Sequence, residues 1–96
     1  MRKAYNAVAC ETIAAWLKDQ KMEHLGVLSR GNHLVIYSEE MGEKVSRVRF
    51  TRIGDDTYEL GIANHLGRWE PTPFTGTLPE LFALLTTQFS WLLSDL

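Results

Sequence analysis

The chain has 96 residues, of which 45% are hydrophobic and 23% are charged. This length and balance predict one globular domain over residues 1–96 and exclude a disordered or fibrous protein. Ten basic and twelve acidic residues give a net charge of −2, which removes any global electrostatic attraction to nucleic acid or to an anionic membrane.

The cysteine content and the apolar segments indicate a cytoplasmic protein. The single cysteine, Cys10, excludes an internal disulfide and fits a reducing compartment. No unbroken apolar run follows Arg2 and Lys3, so we expect no signal peptide. The most apolar segment is interrupted by polar residues between Thr86 and Ser90, which predicts that it does not span a membrane.

Residues from about Ala4 to Met22 show the periodicity of an amphipathic helix. Its core-facing stripe, at spacings of three and four, consists of Tyr5, Ala9, Ile13, Trp16 and Gln20, widened by Val8 and Leu17. Ordinary packing of this stripe explains the helix, so it predicts no site.

Gly31-Asn32 predicts a two-residue hairpin turn with a positive φ angle. The resulting register pairs Val27 with Ile36, Leu28 with Val35 and Gly26 with Tyr37. One face, the core face, then carries Leu25, Val27, Leu34 and Ile36. The opposite face, called the outer face below, carries His24, Leu28, Arg30, His33, Val35 and Tyr37. We expect a polar loop from Glu39 to Glu43.

Two further strands, about Val45–Ile53 and Thr57–Ala63, flank Gly54-Asp55-Asp56. A two-residue turn would mix polar and apolar faces, so we predict a three-residue loop. This loop pairs Phe50 with Leu60 and Val48 with Ile62. It places Arg47, Arg49 and Thr51 on the outer face, opposite Ala63, Gly61 and Glu59.

A turn near His65 should return a fifth strand along the fourth. The predicted partners are Ile62 for Trp69, on the core face, and Gly61 for Glu70, on the outer face. Because Pro71 and Pro73 cannot donate to a ladder, we expect the pairing to end there and this strand to be an edge.

Thr77-Leu78-Pro79-Glu80 is the signature of a capping box at the start of a second helix. Its expected core seam is Leu78, Phe82, Leu85, Phe89, Leu92 and Leu96. The order of elements predicts an α+β fold: an N-terminal helix, then an antiparallel meander of four to five strands, then a C-terminal helix. We expect the helices to pack on the sheet.

The outer face is the first candidate site. Arg47 and Arg49, with Arg68 nearby, offer guanidinium groups to a carboxylate or phosphate, and Gly61 leaves room for a ligand. The alternative is that Arg49 pairs with Glu70 across Gly61 as an exposed ion pair.

The same face carries a second group, in which Tyr37 and His33 accompany Leu28 and Val35. A sheet face this apolar should be covered by either a helix or a partner. Tyr37 resting over Gly26 would explain part of the apolar character of this face. On the last helix, Leu84 and Trp91 lie outside the core seam. They either cover the proline-bearing edge or form a patch for a partner, which could be a second copy of the chain.

No motif predicts catalysis, a cofactor or a metal site. His24, His33 and His65 lack metal-ligand spacing. Cys10 is expected to be half-buried and inert, since no general base is fixed beside it, and Asp55-Asp56 is typical of a turn.

The leading hypothesis is a non-catalytic protein-interaction module that binds an unidentified protein partner or a second copy of itself. The alternative is nucleic-acid or small-anion binding through the outer-face arginines. Nucleic acid is disfavoured because Arg52 and Trp69 are predicted on the core face, and because Glu59 and Glu70 dilute the positive charge. An enzyme is unsupported rather than excluded.

Overall fold

The computed structural model describes residues 2–64 and 66–93, with side chains from residue 7 onward in the first helix. The elements are α1 (Arg2–Asp19), β1 (Leu25–Arg30), β2 (His33–Glu40), β3 (Glu43–Arg52), β4 (Tyr58–Ala63), β5 (Trp69–Gly76), α2 (Leu78–Thr87) and a 3-10 helix (Ser90–Leu93). The strands form one antiparallel sheet in the order β1-β2-β3-β4-β5. The predicted α+β fold is confirmed, and no helix in the described ranges is long and apolar enough to cross a membrane.

Two hairpins form in the predicted registers. β1 and β2 pair as expected around Gly31, whose φ of 57° supplies the positive angle. β3 and β4 pair in the register that a loop at Gly54-Asp55-Asp56 predicts, and the Ile53 N–H donates to the Thr57 carbonyl at 2.9 Å just outside the two strands. The expected loop from Glu39 to Glu43 is wrong. β2 and β3 continue to a tight turn at Met41-Gly42, where φ angles of 53° and 82° match the twist that hairpins prefer.

Both helices cover the core face of the sheet. The residues that pack there almost without exposure are Ile13, Leu34, Ile36, Val48, Phe50, Leu60, Leu81, Leu85 and Leu93. Trp16 of α1 stacks on Phe82 of α2 with ring centroids 4.3 Å apart, and Phe82 meets Phe50 edge-on at 6.0 Å. The α1 stripe is narrower than predicted, since Val8 and Gln20 are exposed.

A β-bulge in β3 corrects the predicted position of Arg47. The register passes from Ile36–Val48 to Tyr37–Ser46, so Arg47 is the extra residue of the bulge, which the register with β2 skips. Beyond the bulge Ser46 takes the outer face, and the Arg47 side chain turns towards the 3-10 helix. There its Nη1 donates to the Leu92 carbonyl at 2.9 Å.

The predicted register of β5 is wrong by one residue. Ala63 pairs with Trp69 and Ile62 with Glu70. This register follows from the way Asn64 closes the preceding loop. The Asn64 side-chain Oδ1 accepts hydrogen bonds from two backbone N–H groups, and the Asn64 backbone N–H donates to the Arg68 carbonyl. A one-residue slip exchanges the faces of a strand, so Trp69 lies on the outer face. The residue His65 in this loop lies outside the described residues.

The prolines do not end the ladder, although β5 is the expected edge strand. A register irregularity opposite Glu59–Gly61 carries the strand past Pro71 and Pro73 to Gly76. Pro71 and Pro73 have no backbone N–H to donate to β4. Between them, the Thr72 hydroxyl donates to the Leu60 carbonyl at 2.7 Å.

The C-terminal helix is shorter than predicted. α2 ends at Thr87, and the chain continues as the 3-10 helix, which still buries Leu92 and Leu93. Two side chains bind its carbonyls, because His24 Nε2 donates to Leu93 at 2.8 Å and Arg47 donates to Leu92. Leu96, predicted in the seam, lies outside the described residues.

The capping box at the start of α2 is confirmed and yields a stability prediction. Thr77 Oγ1 accepts the Glu80 N–H at 3.4 Å, and the Thr77 N–H donates to Glu80 Oε1 at 2.8 Å. Thr77→Ala should lower the free energy of unfolding by about 1 kcal/mol in a urea titration. Thr86→Ala is the control, since its hydroxyl bonds Ala83 within the helix, and it should change stability by less than about 0.5 kcal/mol. Equal losses in the two variants would contradict the cap.

The same cap predicts a pH dependence. Hydrogen bonds from the Thr77 backbone and side chain hold the pKa of the Glu80 carboxyl below its usual range. A group with a lowered folded-state pKa stabilises the fold at neutral pH, and the stabilisation is lost as pH falls through that pKa. Urea midpoints of wild type and Glu80→Gln should therefore converge at acid pH. A gap that stays constant from neutral to acid pH would show that the charge contributes nothing.

Candidate functional site

With both helices on the core face, the outer face carries a depression of about 390 Å³. It will be called the outer-face depression. It is lined by Leu28, Arg30, His33, Val35, Tyr37, Lys44, Ser46, Arg49 and Trp69. These residues come from β1, β2, β3 and β5, so the depression spans the sheet from one edge strand to the other.

Arg49 crosses the sheet to reach Trp69. Arg49 pairs with Gly61 on β4, and its Nε lies 3.6 Å from the place where a Gly61 Cβ would stand. Its guanidinium carbon lies 4.7 Å from the Trp69 ring centroid, a cation–π contact. The predicted pair of Arg49 with Glu70 is wrong, because Glu70 lies opposite Ile62 and accepts a hydrogen bond from the Asn64 amide.

Tyr37 fills the gap at Gly26, as predicted. A Cβ on Gly26 would lie 2.8 Å from the Tyr37 hydroxyl, so a side chain there would displace the end of the ring from its place over β1. Lys44 approaches the same ring, with its Nζ 5.1 Å from the centroid. The ring therefore has one side against the backbone and one cation near it, at one end of the depression.

The middle of the depression is apolar and largely shielded. Val35 is only 6% exposed although it lies outside the helix-covered core, with Leu28 and Arg49 as its cross-strand neighbours. The apolar outer face is thus covered in part by its own neighbouring side chains, an alternative to the helix or partner that the sequence suggested. At the other end His33 Nδ1 and Thr51 Oγ1 share a hydrogen bond of 2.9 Å.

The electrostatic character of the depression is positive. Arg30, Lys44 and Arg49 line it, and no acidic side chain of the described residues does. The Arg49 Nε is buried and finds no hydrogen-bond acceptor in the described part of the chain. Cations that surround an apolar floor fit an anionic group carried on an apolar or ring-bearing ligand.

Three of the predicted binding residues meet in this place and two do not. Arg49, Tyr37 and His33 line the depression. Arg47 is the bulge residue, and its Nε donates to Ser38 Oγ at 3.0 Å while its Nη2 lies 3.4 Å from a Glu40 carboxylate oxygen. Arg68 is exposed in the loop before β5 and does not line the depression.

The two predicted interface residues do not share a helical flank. Leu84 of α2 packs against the core. Trp91 belongs to the 3-10 helix, is 60% exposed and lies 6.5 Å from the Phe89 ring, which in turn meets Phe74. α2 ends at Thr87, between Leu84 and Trp91, and of these two residues only Trp91 is largely exposed.

No group of three or more potential metal-binding side chains gathers within the described residues. Cys10 is half-buried, and burial together with the nearby Glu11 carboxylate raises the pKa of its thiol. A raised pKa disfavours the thiolate that a nucleophile or a metal ligand requires.

Comparisons of the chain with protein-family models, with curated proteins and with solved structures give no match.

Two cations and one aromatic ring of the depression were not among the binding residues predicted from the sequence, namely Arg30, Lys44 and Trp69. Arg30 already had the correct face in the predicted hairpin, and Lys44 belonged to a visible run of basic residues. Trp69 could not be found in this way, because its face depends on how Asn64 closes a loop. A shift of one residue in the register after that loop decides whether the Trp69 side chain lies on the core face or on the outer face.

The Arg49–Trp69 contact can be measured by a double-mutant cycle. Arg49→Ala, Trp69→Ala and the double variant should give a coupling of about 0.5–1 kcal/mol in urea unfolding, since the contact is partly exposed. The matched cycle of Arg49→Ala with Glu70→Ala should give a coupling near zero. Coupling to Glu70 but not to Trp69 would restore the register predicted from the sequence.

Proposed function

We propose that this protein is a non-catalytic binding module whose outer-face depression holds an acidic segment of a partner protein. The observation that carries the proposal is the grouping of Arg30, Lys44 and Arg49 around an apolar floor with no acidic lining residue among those described. The single, partly buried thiol supports a cytoplasmic location.

The composition of the depression supports a protein partner. Arginine, tyrosine and tryptophan are the residues most enriched where proteins bind one another, and Arg49, Tyr37 and Trp69 lie together here. Their side chains are already held, Arg49 by Trp69 and Tyr37 by Gly26, so little side-chain freedom remains to be lost on binding.

The charges around the depression favour one kind of ligand, a short peptide segment that bears carboxylates, and disfavour another, a polyphosphate chain. The chain as a whole carries a net charge of −2, and Glu39 and Glu59 occupy outer-face positions beside Lys44 and Thr51. A long polyanion would meet these acids, whereas a short acidic segment would meet only the cations of the depression.

A second candidate is single-stranded nucleic acid, favoured by the position of Trp69. The sequence predicted this ring in the core, but it lies on the outer face in contact with Arg49. Aromatic rings beside arginines on an open sheet face are what binders of single strands use to stack bases.

One titration separates the two candidates. The ¹⁵N-labelled chain is titrated at low salt with an acidic peptide bearing leucine anchors and, separately, with oligothymidylate. The peptide should shift the amides of β1, β2 and β3 that line the depression. Arg49→Ala should weaken peptide binding by about tenfold or more, because a charge-assisted hydrogen bond is lost. Arg68→Ala, an exposed arginine outside the depression, should not change it.

Each result of the titration has a defined meaning. Peptide binding that depends on Arg49 but not Arg68 supports the protein partner. Oligothymidylate binding with the same dependence, and no peptide binding, replaces it with the nucleic-acid candidate. Shifts that map elsewhere, or no binding of either probe at low salt, contradict both.

A further inference from the structure

β1 is an edge strand whose outer side has backbone groups available for pairing. Arg30 and His33 flank a two-residue turn and so form a hydrogen-bonded pair, which makes alternate residues of β1 bond to β2. The groups of Leu25, Val27 and Ser29 therefore point away from the sheet. The Leu25 N–H already donates to the Met22 carbonyl at 3.1 Å, so the outward groups left for pairing are the Leu25 carbonyl and the N–H and carbonyl groups of Val27 and Ser29.

The two edges of the sheet differ in protection. β5 carries Pro71 and Pro73 and a register irregularity, the usual means by which an edge avoids pairing with another chain. β1 has neither proline nor lysine, and its register with β2 is regular from Leu25 to Arg30. β1 is the edge open to a further strand.

A groove of about 260 Å³ runs between α1 and the β1 edge. Leu17, Met22 and Leu25 give it an apolar floor, and Ala14 and Val27 also line it. Ala14 lines the groove from the helix and Val27 lines it from the strand. Ala14 is exposed, and its small side chain permits close approach of another helix.

We propose that a second copy of this chain pairs with β1 in antiparallel orientation, about a two-fold axis that passes by Val27 and Ala14. Outward-pointing groups then pair with one another: Val27 with Val27 of the second copy, and the Ser29 N–H of one copy with the Leu25 carbonyl of the other. Residues that pair share a face, so both copies place their helices on the same side. The two five-stranded sheets become one continuous sheet.

Charge complementarity identifies a second copy as the occupant. Antiparallel pairing about Val27 brings the β1 start of one copy, where Glu23 is exposed, beside the β1 end of the other, where Arg30 is exposed. On α1 the same axis at Ala14 brings Glu11 of one copy near Lys18 of the other, and both are exposed. Each opposite-charge contact occurs twice by symmetry, as an isologous interface requires.

The proposed dimer goes beyond the ligand site and changes its surroundings. Both outer faces lie on the same side of the joined sheet, and Arg30 stands at the junction. Two positive depressions then adjoin one another, which suits a partner with repeated acidic groups. Pairing outer face to outer face would instead oppose the same cations, so the edge accounts better for self-association.

The first test is the mass of the full chain in solution across a concentration series, by light scattering or sedimentation. Wild type should reach the mass of a dimer. Ala14→Arg should raise the dimer dissociation constant by about tenfold or more, because it places like charges at the axis. Ala15→Arg is the matched control, an exposed alanine outside the groove, and should leave the mass unchanged.

The second test addresses the strand edge itself. Ser29→Pro removes an outward N–H and leaves the bonds to β2 in place, so the monomer should fold while the dimer weakens. Ser29→Ala keeps the N–H and should dimerise as wild type. Hydrogen exchange at the Val27 and Ser29 amides should slow as protein concentration rises.

Glu23→Arg should weaken the dimer, and the double exchange Glu23→Arg/Arg30→Glu should restore it. A wild-type chain that stays monomeric at the highest concentration overturns the proposal. So does a dimer that persists in both Ala14→Arg and Ser29→Pro, or whose Val27 and Ser29 amides exchange freely at every concentration. The ligand titration uses a different readout, so it can fail while the dimer stands.

Discussion

The ring of Phe82 is the contact on which the arrangement of this protein depends. It stacks on Trp16 of α1 and meets Phe50 of β3 edge-on, so one side chain joins both helices to the same face of the sheet. Aromatic pairs of this kind contribute beyond the area that they bury. Because both helices are committed to the core face, the outer face is left without a helix, and its character is decided by strand residues alone.

Two local departures from regular pairing then decide which side chains share the outer face. The bulge at Arg47 takes one predicted cation away and directs it to the Leu92 carbonyl, where it fastens the C-terminal segment. The loop closed by Asn64 brings Trp69 to the outer face, where it receives Arg49. Of the three arginines predicted for the site, only Arg49 lines the positive depression, and Trp69, which was not predicted there, lies beside it.

The outer face and the β1 edge are separate surfaces that have one charged residue in common. Arg30 lines the depression and ends the open edge strand, so ligand binding and pairing with a second copy would both involve its charge. A ligand that neutralises Arg30 would remove its attraction to Glu23 of the second copy, whereas one that spans two depressions would hold the copies together. The two equilibria should therefore be coupled, with a sign that depends on the length of the ligand.

Features that rest on short-range chemistry could be predicted from the residues alone. The registers at Gly31-Asn32 and Gly54-Asp55-Asp56 follow from turn residues and from the need to keep one strand face apolar, and the cap at Thr77 follows from adjacent donors and acceptors. Only the tertiary structure decided the face of Arg47, the face of Trp69 and the end of α2. Arg47 is bound by a carbonyl 45 residues away, and a single loop residue exchanges the faces of β5, so no local pattern records either outcome.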